Sequence, residues 1–438
     1  MLFRQFVDDD LGCASYLIGD DGNGEALLVD PAYAIEPYLE EAERLGVRLT
    51  RVLETHTHAD HVSGHGRFAL DHGLPVGVHP AAEPEYPFEP LEDGAAVCVG
   101  AVEVRVLHTP GHRPEHCCFV VGDRVLTGDS LFVGSIARPD LAVAAREGAE
   151  GLFHSLHRLL ELPDSFQVFP GHVAGSLCGS HMSPERSSSI GAERRGNPAL
   201  ALSLVDEFVA ESAAIGVPRP PNMHRIVDLN RGPFLGAPAP LEPLELADGQ
   251  IVLDVRPPAD FAAGHVHGAL NVPVSGSSFG TRAGFVLRPG ERIVIHARDR
   301  DEAERAAVGL RAIGFLELEG YLERAPATEP MRPVELEDVR SLLAGGSIEL
   351  VDVRDLSERD AGYIPGSVNI PYRLVRARAD QLPHDRPLVT ICESGARAAI
   401  AASVLAAAGF DARPVLDGGI HDWEARGNGT VHFRRCGA

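Results

Sequence analysis

The chain has 438 residues, too many for one ordinary hydrophobic core, and 44% of them are apolar, enough to fill several cores and to exclude a disordered chain. Its formal net charge of −24 repels phosphate over most of the surface and excludes nucleic acid as a partner. No apolar run is long enough to cross a bilayer, and residues 1–6 lack the basic-then-apolar layout of a signal peptide, so a cytoplasmic protein without a membrane partner is expected.

From residue 1 to about 198, short β-like runs alternate with turns. Runs 26–29, 102–106 and 118–121 read as strands, and 35–45 and 151–162 carry helical periodicity, which predicts two packed sheets with outer helices. The apolar run 49–53 ends in Thr55-His56-Thr57-His58-Ala59-Asp60-His61. Buried without partners, each of these polar groups costs a few kcal/mol of desolvation (about 2–7), a cost that a bound cation removes by using their lone pairs. Three more turns follow apolar runs and carry donors of the same kind: Thr109-Pro110-Gly111-His112, Thr127-Gly128-Asp129-Ser130 and Phe169-Pro170-Gly171-His172. Several strand-end donors on one scaffold point to a metal.

Residues 216–243 hold seven prolines and read as a linker. Beyond it the chain repeats. Leu253-Asp254-Val255-Arg256 returns as Val351-Asp352-Val353-Arg354, and residues 263–273 return as 361–371. Each copy continues with a buried strand (293–295; 388–391) and an Ala-rich helix ending at Gly-Phe, the pattern of a parallel α/β sheet. A second break at 325–330 separates the copies. Three domains are expected: 1–235 with the linker at its end, 236–327, and 328–438.

Seven cysteines are an odd count and do not form a disulfide framework. Cys392 stands apart. It ends a strand and opens the loop Cys392-Glu393-Ser394-Gly395-Ala396-Arg397 ahead of a helix, where convergent N–H groups favour a thiolate and a bound persulfide. Arg397 adds positive charge. In the first copy Ala297 stands opposite Cys392 and Glu302 opposite Arg397, so that copy carries no persulfide and reads as a structural or docking domain.

The order His-x-His-x-Asp-His, Gly-His, Gly-Asp, Gly-His resembles the metallo-β-lactamase superfamily, which implies an αββα sandwich over the first half of the chain. Within it, residues 129–140 resemble the persulfide dioxygenases. That resemblance implies one Fe(II) per chain held by His56, His112 and Asp129, the facial-triad set. His58, Asp60, His61 and His172 then support the ligands. Arg138 either grips an anionic thiol or sulfite or makes a structural ion pair with a nearby Asp. Cys178 either shuttles sulfur near the iron or packs as a small apolar side chain. The rival branch, hydroxyacylglutathione hydrolases, would bind two Zn and use His58, Asp60, His61 and His172 as well.

The loop 392–397, the Asp352-Val353-Arg354 turn, residues 362–371 and 418–423 resemble rhodanese sulfurtransferases. Together the resemblances imply an α/β multidomain fusion: a persulfide dioxygenase, a Cys-less rhodanese-like domain and an active rhodanese domain. The implied chemistry is oxidation of a low-molecular-weight thiol persulfide by O2 to sulfite and thiol, coupled to sulfane-sulfur transfer through Cys392 with sulfite and thiosulfate as partners. A homo-oligomer, dimer or tetramer, is expected.

Overall fold

The computed structural model describes residues 1–173, 176–179, 182–212, 218–247, 249–325 and 328–433. Ala174 and Gly175, the start of the proline-rich stretch (216–217), Pro326 and Ala327 of the second break, and Cys436 lie outside them. The chain forms two compact units, residues 1–239 with 311–314, and 240–310 with 315–438.

In the first unit one sheet runs in sequence order: β1 (Leu2–Asp8), β2 (Cys13–Asp20), β3 (Glu25–Val29), β4 (Arg48–Leu53), β5 (Val76–Val78) and β6 (Glu89–Pro90). The second comprises β7 (Ala96–Val99), β8 (Val102–His108), β9 (Cys117–Val121), β10 (Arg124–Gly128), β13 (Gln167–Pro170) and β14 (Ser188–Ser189), in the order β14-β13-β10-β9-β8-β7, with β10 and β13 parallel. A ribbon of β11 (Leu131–Phe132) and β12 (Ser135–Ile136) follows β10.

Strand alternation builds the layers. Tyr16 and Ile18 of β2 meet Leu27 and Val29 of β3 between the sheets, whereas Leu17, Leu28 and Val52 pack outward onto α1 (Glu36–Leu45) and α2 (His65–His72). In the second sheet Val104, Phe119 and Leu126 face inward. Cys118, Val120 and Val125 face outward onto α3 (Ala145–Leu159), α4 (Ile190–Gly196) and α5 (Val205–Ser212). Burying each large side chain contributes about 1.5–3 kcal/mol, and the two doubly covered sheets make the expected αββα sandwich.

Two elements differ from their sequence expectation. Helix α3 begins at Ala145 and stops at Leu159, short of residue 162, because Pro163 disfavours helical backbone in the residue before it. The proline-rich stretch is not all spacer: Met223–Arg231 forms helix α6, whose buried Asn230 packs back onto the first unit.

The second unit holds two four-stranded parallel sheets. The first is β15 (Ile251–Asp254), β16 (Leu270–Asn271), β17 (Ile293–His296) and β18 (Leu318–Leu322), with α7 (Pro258–Ala263), α8 (Phe279–Val286) and α9 (Arg300–Ala312). The second is β19 (Glu349–Asp352), β20 (Val368–Asn369), β21 (Leu388–Ile391) and β22 (Ala412–Pro414). Its helices are α10 (Val339–Ala344), α11 (Leu356–Ala361), α12 (Tyr372–Arg378), α13 (Ala396–Ala407) and α14 (Ile420–Ala425).

The sequence repeat is a repeat of hydrogen bonds. Asn271 donates to the carbonyls of Asp254 and Arg256 at 3.0 Å each, and Asn369 to those of Asp352 and Arg354 at 2.8 and 2.9 Å. Arg256 and Arg354 fold back on Asp254 and Asp352 and also donate to the carbonyls of Gly264 and Gly362. Among the described residues no helix is long and apolar enough to cross a membrane.

Candidate metal centre and sulfur-transfer loop

The chain leaves β4, β8, β10 and β13 into the turns that carry His56, His112, Asp129 and His172. The parallel register sets Gly128 beside Pro170, Gly171 N donates to Gly128 O at 2.8 Å, and Cys117 N donates to Thr55 O at 2.7 Å. The approach is close enough to require glycine. A Cβ on Gly128 would lie 2.6 Å from His116 Nε2, and one on Gly171 would lie 2.8 Å from Asp129 Oδ1.

His56, His112 and Asp129 are buried and offer donor atoms within 4.8 Å of one another. Asp129 Oδ2 lies 3.9 Å from His56 Nε2 and 3.5 Å from His112 Nε2. Among the described residues, His56 Nε2 and Asp129 Oδ2 have no hydrogen-bond partner. Unpartnered, fully buried lone pairs converging on one point fit a cation.

The surrounding bonds aim these atoms. Asp30 accepts from Thr55 N at 2.7 Å and from Thr55 Oγ1 at 2.8 Å, and Thr55 Oγ1 lies 2.9 Å from His56 Nδ1. His112 Nδ1 faces the Arg138 carbonyl at 2.9 Å, which can only accept, so the Nε2 lone pair points at the trio. Asp129 N donates to His116 Nε2 at 2.9 Å, and Asp129 Oδ1 accepts from His172 Nδ1 at 2.6 Å. Burial, reinforced by the neighbouring imidazoles, pushes His56 well below its usual range, and burial pushes His112 down despite the opposing Asp129. Both are therefore neutral, the form a metal binds. Burial alone would raise Asp129; the His172 charge overcomes it and holds the carboxyl ionised.

The remaining polar residues divide into two further groups. Asp60, His61 and His172 gather with Cys13, whose Sγ lies 3.4 Å from Asp60 Oδ2, 3.4 Å from His61 Nδ1 and 3.3 Å from His172 Nε2. His172 Nε2 bonds Asp60 Oδ2 at 2.7 Å. His58 joins neither cluster: its Nε2 lies 3.3 Å from Asp30 Oδ1 and 3.2 Å from Glu54 Oε2.

In the second unit Cys392 directly follows β21 and is 1% exposed. Gly395 has φ +82°, and a Cβ there would come within 3.0 Å of the Leu416 backbone. Gly419 closes over the loop, where a Cβ would meet the Glu393 carbonyl at 2.1 Å. Arg397 is held by Glu358 through two bonds of 2.6 and 2.7 Å. Glu393 accepts from His421 N at 3.0 Å. In the first copy Ala297 fills the place of Cys392, and Glu302 turns into the equivalent loop, accepting from Arg298 N at 2.7 Å and pairing with its guanidinium. A carboxylate of the chain itself occupies that loop.

The metallo-β-lactamase superfamily model matches residues 8–172, and the rhodanese-like domain model matches 242–323 and 335–426. A mitochondrial persulfide dioxygenase of Bos taurus is 30% identical over 241 residues, covering 52% of this chain and 87% of the relative. The chain belongs to the metallo-β-lactamase superfamily. It also carries two rhodanese-like domains. A probable polyketide biosynthesis zinc-dependent hydrolase of Bacillus velezensis is 30% identical over 173 residues, covering 38% of this chain and 76% of the relative. The crystal structure of a metallo-β-lactamase from Staphylococcus aureus superposes with TM-score 0.67 at 29% identity, covering 74% of this chain and 98% of that one.

Against this superfamily frame, the structure brings His56, His112 and Asp129 together and groups Asp60, His61 and His172 beside them. Arg138 is fully enclosed. It pairs with Asp140 at 2.7 and 3.0 Å and donates to the carbonyls of Leu177 and Pro218. That geometry favours the structural ion pair over a substrate grip, and Arg138 serves the site through its backbone carbonyl on His112. Cys178 places its sulfur within 4.8 Å of donor atoms of Asp129 and His172, and burial pushes its thiol up.

Sequence reasoning passed over Asp30, Glu54 and His116, which follow no motif spacing. It also missed Asn230, which donates to the carbonyls of His58 and His61 at 3.0 and 2.8 Å from inside the expected linker.

Proposed function

We propose that the first unit oxidises a low-molecular-weight thiol persulfide with O2, and that Cys392 carries sulfane sulfur in the second. One persulfide, one O2 and one water give one thiol, one sulfite and two protons. The observation that carries the reading is the trio itself: two neutral imidazoles and one ionised carboxylate with unpartnered atoms, while His58 is drawn off by Asp30 and Glu54. Two His and one carboxylate fit a non-haem Fe(II), which when bound supplies the redox chemistry that O2 requires. Thr55 and the Arg138 carbonyl orient the two imidazoles, and His172 fixes Asp129 through Oδ1 so that Oδ2 stays free.

At Cys392 the thiolate attacks the outer sulfur of a donor, the donor's S–S bond breaks, and its thiolate leaves with the electron pair. Sulfite then attacks the outer sulfur of the Cys392 persulfide, giving thiosulfate and the free thiol. Sulfite is thus a product of the first reaction and an acceptor in the second, and tethering both sites in one chain raises its effective concentration.

A second reading, a dinuclear zinc thioester hydrolase, is favoured by the Cys13, Asp60, His61 and His172 cluster and by the likeness to the zinc-dependent hydrolase. Supplying the full chain with glutathione persulfide or with a glutathione thioester separates the two. The proposal expects O2-dependent sulfite from the persulfide, abolished in His112→Ala, and no thioester cleavage. Thioester cleavage without sulfite would replace it.

A further inference from the structure

The second rhodanese-like domain contains an ion pair that a loop built to attract anions would not be expected to hold. Arg397, the cation that follows Cys392 in the loop, points both of its terminal nitrogens at Glu358. Glu358 is itself held in place. It is the third residue of α11, and its Oε2 accepts from Asp355 N at 3.1 Å in a capping box that fixes the start of that helix. The side chains of Arg397 and Glu358 are 21% and 36% exposed, enough for a donor to reach them and too little for water to screen them fully.

A second carboxylate stands in the loop. Glu393 is tied to His421 N and, at 3.4 Å, to Arg354, whose guanidinium is already committed to Asp352 and the Gly362 carbonyl. Arg373 is likewise paired with Asp355. The guanidinium of Arg397 is therefore already paired with Glu358, and that of Arg354 with Asp352, before a donor arrives.

Donors differ in the charge they bring. Thiosulfate carries two negative charges next to the sulfur to be transferred, and its leaving group, sulfite, leaves with both. A thiol persulfide carries at most one at the reacting sulfur, and its leaving thiolate takes a proton. A carboxylate beside the loop penalises the first donor more than the second, because the repulsion scales with the charge brought in.

We propose that Glu358, aimed by the α11 capping box, is the specificity-determining residue of the Cys392 site, neutralising Arg397 so that the loop takes sulfur from thiol persulfides in preference to thiosulfate. This rests on Cys392 being the sulfur carrier. The transfer is redox-neutral: the Cys392 thiolate forms a bond to the sulfane sulfur, the donor's S–S bond breaks, and thiolate or sulfite leaves with the pair.

The test follows sulfur uptake at Cys392 by peptide mass spectrometry in the full chain, without O2, from thiosulfate and from glutathione persulfide in turn. Glu358→Gln keeps the cap acceptor and removes the charge. Its thiosulfate rate should rise by about tenfold, with the persulfide rate within about twofold of wild type. Glu358→Ala, which also drops the cap, should move the donor ratio in the same direction. Uptake at Cys392 with an unchanged donor ratio in both variants would overturn the proposal while leaving the carrier reading intact. No sulfur at Cys392 from either donor would overturn both.

Discussion

Two clusters of metal-capable residues lie side by side in the first unit, and they solve the same problem of burial in opposite ways. Cys13, Asp60, His61 and His172 satisfy one another, with sulfur, carboxylate and imidazole contacts of 2.7–3.4 Å. His56, His112 and Asp129 are equally buried, yet two of their convergent atoms have no hydrogen-bond partner among the described residues. Residue types alone do not separate the clusters, since both are rich in His and Asp. Hydrogen-bond bookkeeping separates these two: the trio keeps lone pairs that a cation would use and the other can hold its neighbours in place, while His58 and Glu54, which also keep atoms without a hydrogen-bond partner, face each other as an ion pair.

The largest effect that would sharpen this contrast comes from the trio. His112→Ala or Asp129→Ala removes one of three donors, and metal content measured after dialysis should fall at least about a hundredfold, more than loss of any supporting partner costs. Full metal content in both would mean that the trio is not the site. Asp60→Asn weakens the contacts to His172 and His61, and through His172 loosens Asp129; metal affinity should drop about 10–100-fold with the metal count per chain unchanged.

A pH effect of intermediate size concerns His116. Burial, then His112, pushes it down to about 3 from 6.5, so the folded chain keeps it neutral where the unfolded chain binds a proton. Its contribution to stability is present above about pH 6.5 and is lost as pH falls toward 3, with a slope of up to about 1.4 kcal/mol per pH unit. His116→Gln still offers Asp129 N an acceptor but has no such titration, so urea unfolding between pH 7 and pH 5 should show a shallower pH slope by about that amount. Identical slopes would refute the assignment. The smallest effect belongs to Cys13→Ser, which should leave metal content within about twofold. A fall from two metals to one in that variant would break the contrast between the clusters.

Much of this was legible in the sequence because it depends on short periods and strand ends. The alternation in β2 and β3 assigns each apolar residue to a sheet face, and the two Asp-Val-Arg and Asn-x-Pro copies keep the same hydrogen bonds in both rhodanese-like domains. His56, His112 and Asp129 were readable as strand-end donors. The direction each side chain takes was not. His58 sits two residues from His56 and turns to Asp30 and Glu54, which no local pattern announces. Arg397 read as an added positive charge, yet its partner Glu358 absorbs it, and of the two readings left open for Arg138 the pairing with Asp140 favours the ion pair. Asn230 was hidden for a different reason: prolines on both sides made its helix look like a spacer.

The central claim, one redox metal on the trio and none on the neighbouring cluster, is met most directly by counting iron and zinc in the full chain expressed with both metals available, while following O2 uptake on glutathione persulfide in the same sample. The account predicts about one iron per chain and one O2 consumed per persulfide. Two zinc ions per chain with no O2 uptake would contradict it.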